Sequence, residues 1–173
     1  MRIYHGYILN LLQNFDIMIN EETVMKKVCF VCLGNICRSP MAEFVMKQEA
    51  SDKDWLIESR GTSDWEHGNP IHPGTQKILT ASQIPFENSK ASQELTIKDF
   101  ETFDYLIGMD QQNVKDMKAM SNGRFDHKIA LFCQGGVPDP WYTGDFEETY
   151  HLVSQGCQTW REIIEKNIQS NEK

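Results

Sequence analysis

VCLGNICRSP, residues 31–40, lies directly behind the apolar run KKVCFVC and directly ahead of MAEFVMKQEA. Lys26 to Cys32 is apolar on both faces, as expected of a strand in the middle of a parallel sheet covered by helices. On the other side, Pro40 falls in the first turn of a helix running from about Ser39 to Ala50, where its missing N–H costs nothing. Met41, Ala42, Phe44 and Val45 then follow at helical spacing. A strand that feeds a helix through a short glycine-containing loop is the first half of a βαβ unit, which requires a further strand downstream as its continuation.

That continuation is present. Trp55 to Ser59 reads as a second strand, GTSDWEHGNPIHPG as a turn-rich loop, Pro73 to Ser82 as a helix and Thr96 to Phe103 as a short one. Asp104 to Met109 predicts a third strand, after which Asp110 caps a helix that Asn122 and Gly123 end. His127 to Phe132 predicts the fourth strand and Asp145 to Asn167 the closing helix, with Glu147 and Glu148 in its first turn. Strand and helix alternate, which implies an α/β fold: a three-layer sandwich with a four-stranded parallel sheet flanked by helices on both faces. Residues 25–173 are expected to form a single domain. Residues 1–24 read as a poorly ordered N-terminal extension, because asparagines and a glutamine interrupt the apolar patch YILNLL and no cleavage signature follows.

The chain has 173 residues and a net charge of −8, a balance that argues against a general nucleic-acid binder, because phosphate backbones are held by excess Lys and Arg. No stretch reaches the roughly 18–20 apolar residues of a membrane span. Five cysteines, an odd number without a framework spacing, fit a reducing compartment, and a cytoplasmic location is expected. Cys29 and Cys32 form a C-x-x-C, but residues three apart on a strand face opposite sides, so no metal site is expected there.

Two loops remain unexplained by packing, VCLGNICRSP after the first strand and VPDPWYTG after the fourth. In open parallel sheets both leave at the carboxyl edge, where ligands bind, and they can meet over one pocket. A loop entering a helix turns backbone N–H groups inward and makes an anion cradle. Gly34 and Asn35 tolerate the left-handed backbone such a cradle needs, and Arg38 adds a planar fork for two oxygens of a tetrahedral anion. Cys32 sits at the mouth of this electropositive site, the setting in which a thiol acts as a thiolate nucleophile, with Ser39 near enough to donate to the sulfur. Asp139, stiffened by Pro138 and Pro140, is the candidate proton donor to a leaving group and then the base on incoming water. Trp65, Trp141 and Tyr142 supply candidate apolar walls for an aromatic ester. This chemistry needs no metal and no cofactor.

At these residues VCFVCLGNICRSPMAE resembles the low molecular weight protein tyrosine phosphatase family, and DPWY resembles that family's general-acid loop. The likeness runs from about Met25 to the C-terminus through GTSDWEHGNPIHPG and FDYLIGMDQQN. It implies hydrolysis of phosphotyrosine in proteins or peptides through a phosphocysteine on Cys32, with Arg38 binding phosphate and Asp139 as acid and base. It also implies that Leu33, Gly34, Asn35, Ile36, Cys37 and Ser39 form the loop, which would bind phosphate and other oxyanions. Cys37 matches a second thiol that forms a reversible disulfide with the nucleophile, and Tyr142 matches a position that is itself phosphorylated; a monomer is expected.

One stretch departs from the family. Where it has a histidine and an arginine in an SH-x-A-R-Q-like stretch, this chain has NSKASQ, with Asn88 or Ser89 at the histidine and Ser92 at the arginine. Support for Asn35 is therefore expected to be lost or rerouted. Among related activities, arsenate reduction needs further relay cysteines, and none lies between Cys37 and Cys133. Arginine phosphatases favour threonine where this loop has Ile36, and a capture module would not need Cys32, Arg38 and Asp139 together.

Overall fold

Strand β1 (Lys27–Cys32) divides the core into two halves by the alternation of its side chains. Val28, Phe30 and Cys32 point into one layer, where they meet Met41, Phe44, Leu79, Val153 and Cys157; Cys29 and Val31 point into the other, against Phe100, Leu106 and Met117. Every one of the five strand residues is at most 3% exposed, so the run is apolar on both faces because both faces are covered. The computed structural model of the protein describes residues 25–171, and the expectation for residues 1–24 lies outside them.

The remaining elements are α1 (Arg38–Glu49), β2 (Leu56–Gly61), α2 (Pro73–Ala81), α3 (Ile97–Thr102), β3 (Tyr105–Gly108), α4 (Gln111–Met120), β4 (Ile129–Leu131), α5 (Pro140–Thr143) and α6 (Phe146–Asn171). The four strands pair in the order β2-β1-β3-β4, all parallel. Helices α1, α2 and α6 pack on one face and α3 and α4 on the other, the three-layer α/β sandwich that the alternation predicts. Chain order reverses beside β1, between β2 and β3, which puts the loop after β1 at the switch point of the sheet. No helix among the described residues is long and apolar enough to cross a membrane.

Local chemistry sets the boundaries. Thr96 and Asp99 form a reciprocal capping box on α3, and Asp110 and Asn113 do the same on α4. Helix α1 is different: its N-cap is Cys37, no side chain caps it, and its first turn holds no acid, so its positive end is left facing the loop. Several boundaries depart from the sequence pattern: the second strand runs on to Gly61 and the closing helix to Asn171. The predicted fourth strand is shortened to Ile129–Leu131, because Asp126–Lys128 forms a 3₁₀ turn before it. The stretch expected as an irregular loop contains α5, with Asp139 as N-cap, Pro140 at its first position and Gly144 left-handed (φ 71°) at its end.

Candidate active site

The loop from Leu33 to Cys37 is held by its carbonyl groups. Those of Cys32, Leu33, Gly34 and Ile36 accept from Thr62 N (2.9 Å), Ser63 N (3.0 Å), Ser92 Oγ (2.8 Å) and His72 N (2.9 Å) on the surrounding segments. In a trans peptide C=O and the following N–H point opposite ways. Tethering these four carbonyls outward therefore turns the N–H groups of Leu33, Gly34, Asn35 and Cys37 to the inside. Asn35 reaches this geometry through a left-handed backbone (φ 54°), and its N–H lies 3.2 Å from Cys32 Sγ. The second polar neighbour of that sulfur is Ser39 Oγ at 3.0 Å.

A chain of hydrogen bonds fixes which way protons point beneath the thiol. Asn35 donates both amide hydrogens, to Ser39 Oγ (2.9 Å) and Ser59 Oγ (2.8 Å), while its Oδ1 accepts from Gln93 N (3.0 Å). Ser59 in turn donates to Glu43 Oε2 at 2.6 Å. Because Ser39 already accepts from Asn35, its own proton is free for the sulfur, with Arg60 O a longer alternative at 3.4 Å. The chain ends on a carboxylate with 3% of its side chain exposed, neutralised by Lys90 Nζ at 2.9 Å and Lys47 Nζ at 2.8 Å. Burial alone would raise the Glu43 carboxyl, but Lys90 and the hydrogen bonds from Lys47 and Ser59 more than offset that and hold it below its ordinary value. The support for Asn35 is thus rerouted: Asn88 and Ser89 are exposed, while Lys90, Gln93 and Ser92 do the bracing.

Arg38 is 3% exposed at the start of α1 and faces two carboxylates. Its Nη1 donates to Asp110 Oδ2 (2.5 Å) and Val137 O (3.2 Å), and its Nη2 donates to Asp139 Oδ2 (2.6 Å). Burial would favour loss of its proton, but the charges of Cys32, Asp139 and Asp110 outweigh burial and hold it above the usual guanidinium value. Its Nε–H is buried and meets no acceptor among the described residues. Asp139 is held at both oxygens, the other by Trp141 N at 3.1 Å.

These groups close a pocket of about 260 Å³ lined by Cys32, Leu33, Gly34, Ile36, Cys37, Asp139 and the side chains of Trp65, Trp141 and Tyr142, with Glu66 as a further wall. Asn35, Arg38 and Ser39 are buried behind that lining. Trp65, Trp141 and Tyr142 are 76%, 56% and 76% exposed, so they form a rim open to a large ligand. Cys37 differs from its neighbour: burial first, then the charges of Cys32 and Asp139, push its thiol up to about 12. At neutral pH it is a protonated thiol. Among the described residues no group of His, Cys, Asp and Glu is arranged to hold a metal ion, and Cys29 and Cys32 lie in opposite core layers.

Sequence reading missed Asp110, Glu43, Lys90, Ser59 and Glu66. Asp110 was legible only as a helix cap, although its position after β3 puts it on the carboxyl edge of the sheet, where an acid beside a buried arginine is worth suspecting. Glu43 carried a signal too: it is a charged residue on the buried side of α1, between Met41, Ala42 and Phe44.

A thiol in an amide-lined loop, backed by a buried arginine at the switch point of a parallel sheet, has the chemistry to hold an anion beside a nucleophile. Comparison with known proteins gives the family. The sequence profile described as "Low molecular weight phosphotyrosine protein phosphatase" matches residues 27–170. Low molecular weight protein-tyrosine-phosphatase PtpA of Staphylococcus aureus is 41% identical over 157 residues, which cover 86% of this chain and 99% of that protein. The crystal structure of SP-PTP, a low molecular weight protein tyrosine phosphatase from Streptococcus pyogenes, superposes with a TM-score of 0.77 at 68% identity, covering 79% of this chain and 91% of that one. YfkJ from Bacillus subtilis does so with a TM-score of 0.80 at 37% identity, covering 83% and 96%. The chain belongs to the low molecular weight protein tyrosine phosphatase family, and it is a phosphatase.

Proposed function

We propose that the protein hydrolyses phosphotyrosine esters in proteins or peptides through a phosphocysteine intermediate. The observation that carries this is the convergence of Cys32 and the inward amides of its loop on a space bounded by Asp139, with Arg38 buried directly behind that lining and its Nε–H without an acceptor among the described residues. A phosphoryl group seated there accepts the amides and the guanidinium. Its arrival competes with Asp139 for Arg38, and the freed carboxyl is within the same pocket as the leaving oxygen.

In the first step the Cys32 sulfur attacks phosphorus, the P–O bond to the tyrosyl oxygen breaks, and Asp139 gives that oxygen its proton. In the second, the Asp139 carboxylate takes a proton from water, the water oxygen attacks phosphorus, and the P–S bond breaks to return Cys32 and release phosphate. The exposed aromatic rim of Trp65, Trp141 and Tyr142 matches a flat phenolic ring, and apolar Ile36 in the pocket wall favours tyrosine esters over a guanidinium phosphate. Residues 25–173 are the phosphatase domain in this reading and residues 1–24 an extension; a monomer acting in the cytoplasm completes it.

The test is a panel of phosphotyrosine, phosphoserine and phosphoarginine peptides, run with the wild type, Cys32→Ser and Asp139→Ala. Only phosphotyrosine is turned over rapidly, Cys32→Ser is inactive, and Asp139→Ala loses about 10²-fold on phenyl esters while sparing p-nitrophenyl phosphate, whose leaving group needs little protonation. Equal loss on both esters rejects the acid role, and faster turnover of phosphoarginine rejects the substrate class.

A further inference from the structure

His72 joins the two loops of the site. Its backbone N–H donates to Ile36 O of the phosphate loop at 2.9 Å. Its ring meets Trp141 of the acid loop edge-on, with centroids 5.6 Å apart and planes at 77°, and stacks on Phe146, the first residue of α6, at 5.0 Å and 11°. Its Nδ1 accepts from Gly74 N at 3.0 Å, which caps α2 and locks the ring in orientation. Phe146 closes over this arrangement so tightly that a Cβ on Gly74 would lie 2.5 Å from its ring, so α6, α2 and the histidine form one packed unit.

The consequence reaches Asp139. Trp141 is 56% exposed, and the His72 ring is the aromatic neighbour it packs against inside the fold. The N–H of that same tryptophan holds Asp139 Oδ1 at 3.1 Å. We propose that His72 is a positioning residue that sets the spacing between the phosphate loop and the acid loop, acting through Trp141 on Asp139. It is not among the residues that line the pocket. Capping alone does not account for it: asparagine or aspartate would cap α2 as well, whereas only a ring fills the space between Trp141 and Phe146. The kinetic part of the proposal rests on Asp139 being the general acid.

Two substitutions separate the jobs. His72→Asn keeps an acceptor for Gly74 N and removes the ring; His72→Phe keeps a ring and removes the acceptor. Hydrogen exchange is read at the α5 segment and at α2, together with kcat on phenyl phosphate and p-nitrophenyl phosphate and the melting temperature. His72→Asn should speed exchange in α5 with α2 still protected, and lower kcat on phenyl phosphate about tenfold with no more than about a twofold loss on p-nitrophenyl phosphate, since a displaced acid matters only where the leaving group needs its proton. His72→Phe should restore kcat yet melt earlier. In a Trp141→Ala background, His72→Asn should cost nothing further.

The opposite crossing, with Phe inactive, Asn active and activity following melting temperature, makes the residue a cap and overturns the proposal. So does unchanged exchange in α5 of His72→Asn, or a full additional loss on top of Trp141→Ala. If exchange behaves as described but the wild type shows no preference for Asp139 on phenyl phosphate, the positioning stands and the acid assignment fails.

Discussion

Lys90 and Glu43 form a nearly dry ion pair under the loop of residues 33–37, and severing it is the most informative perturbation of this protein. Their side chains are 11% and 3% exposed, with Nζ 2.9 Å from Oε2. Removing one partner of a buried pair costs about 3–5 kcal/mol, because the other charge is left without compensation. Here Lys47 remains 2.8 Å from the second oxygen but is itself 36% exposed, so its charge is partly screened and the loss should fall to about 2–3 kcal/mol for Lys90→Ala. That corresponds to about 5–10 °C in melting temperature for a chain of this size.

Glu43→Gln strands Lys90 instead, and the double variant strands neither charge, so the two single losses should not add; a coupling of about 1–3 kcal/mol is expected. The assay is urea unfolding of the four proteins at pH 7, repeated as pH falls. Because the folded Glu43 carboxyl lies below its ordinary value of 4.5, the unfolded chain binds more protons in that window. The stability Glu43 confers is therefore present above about pH 4.5 and is lost as pH falls through the folded value, so the gap between wild type and Glu43→Gln narrows on acidification. Losses that add within about 0.5 kcal/mol, or a gap that widens in acid, refute the reasoning.

Gly156 on α6 faces Phe132, and a Cβ there would lie 2.1 Å from the ring, so Gly156→Ala should destabilise by about 1–3 kcal/mol despite alanine's better helix propensity; a raised melting temperature would contradict this packing. For redox control, mild peroxide should inactivate the wild type and dithiol restore it. If peroxide takes the Cys32 sulfur to a sulfenic acid and the Cys37 thiol condenses with it, losing water, to a disulfide that dithiol reduces, then Cys37→Ser should lose the recovery; equal recovery in that variant removes the protective-disulfide idea.

The site's near half was written in consecutive residues. Cys32, Gly34, Asn35, Arg38 and Ser39 lie within one β1–α1 connection, where strand direction, a left-handed turn and a helix start gather the thiol and the loop at one pocket with the arginine behind them. Asp139 was also accessible, since a proline on each side and its place after the fourth strand set it at the same edge. Helix α5 was available in the Asp-Pro and Gly144 signals but too short for periodicity to reveal.

Other contacts had no linear signature. The pairing of Arg38 with Asp110 and Asp139 spans 72 and 101 positions, the Asn35–Ser59 bond spans 24, and Lys90 reaches Glu43 from another segment. The departure at NSKASQ announced that Asn35 needed new support, yet not that a lysine, a serine and a backbone amide would provide it. By itself the sequence determined the sheet, its layers and the composition of the phosphate loop, because hydrophobic period, turn chemistry and capping act between near neighbours. Which carboxylates face the arginine, how the amide of Asn35 leaves the Ser39 proton for the sulfur, and how His72 ties the two loops together were decided only in three dimensions, where burial makes each polar group take whatever partner the fold brings within reach.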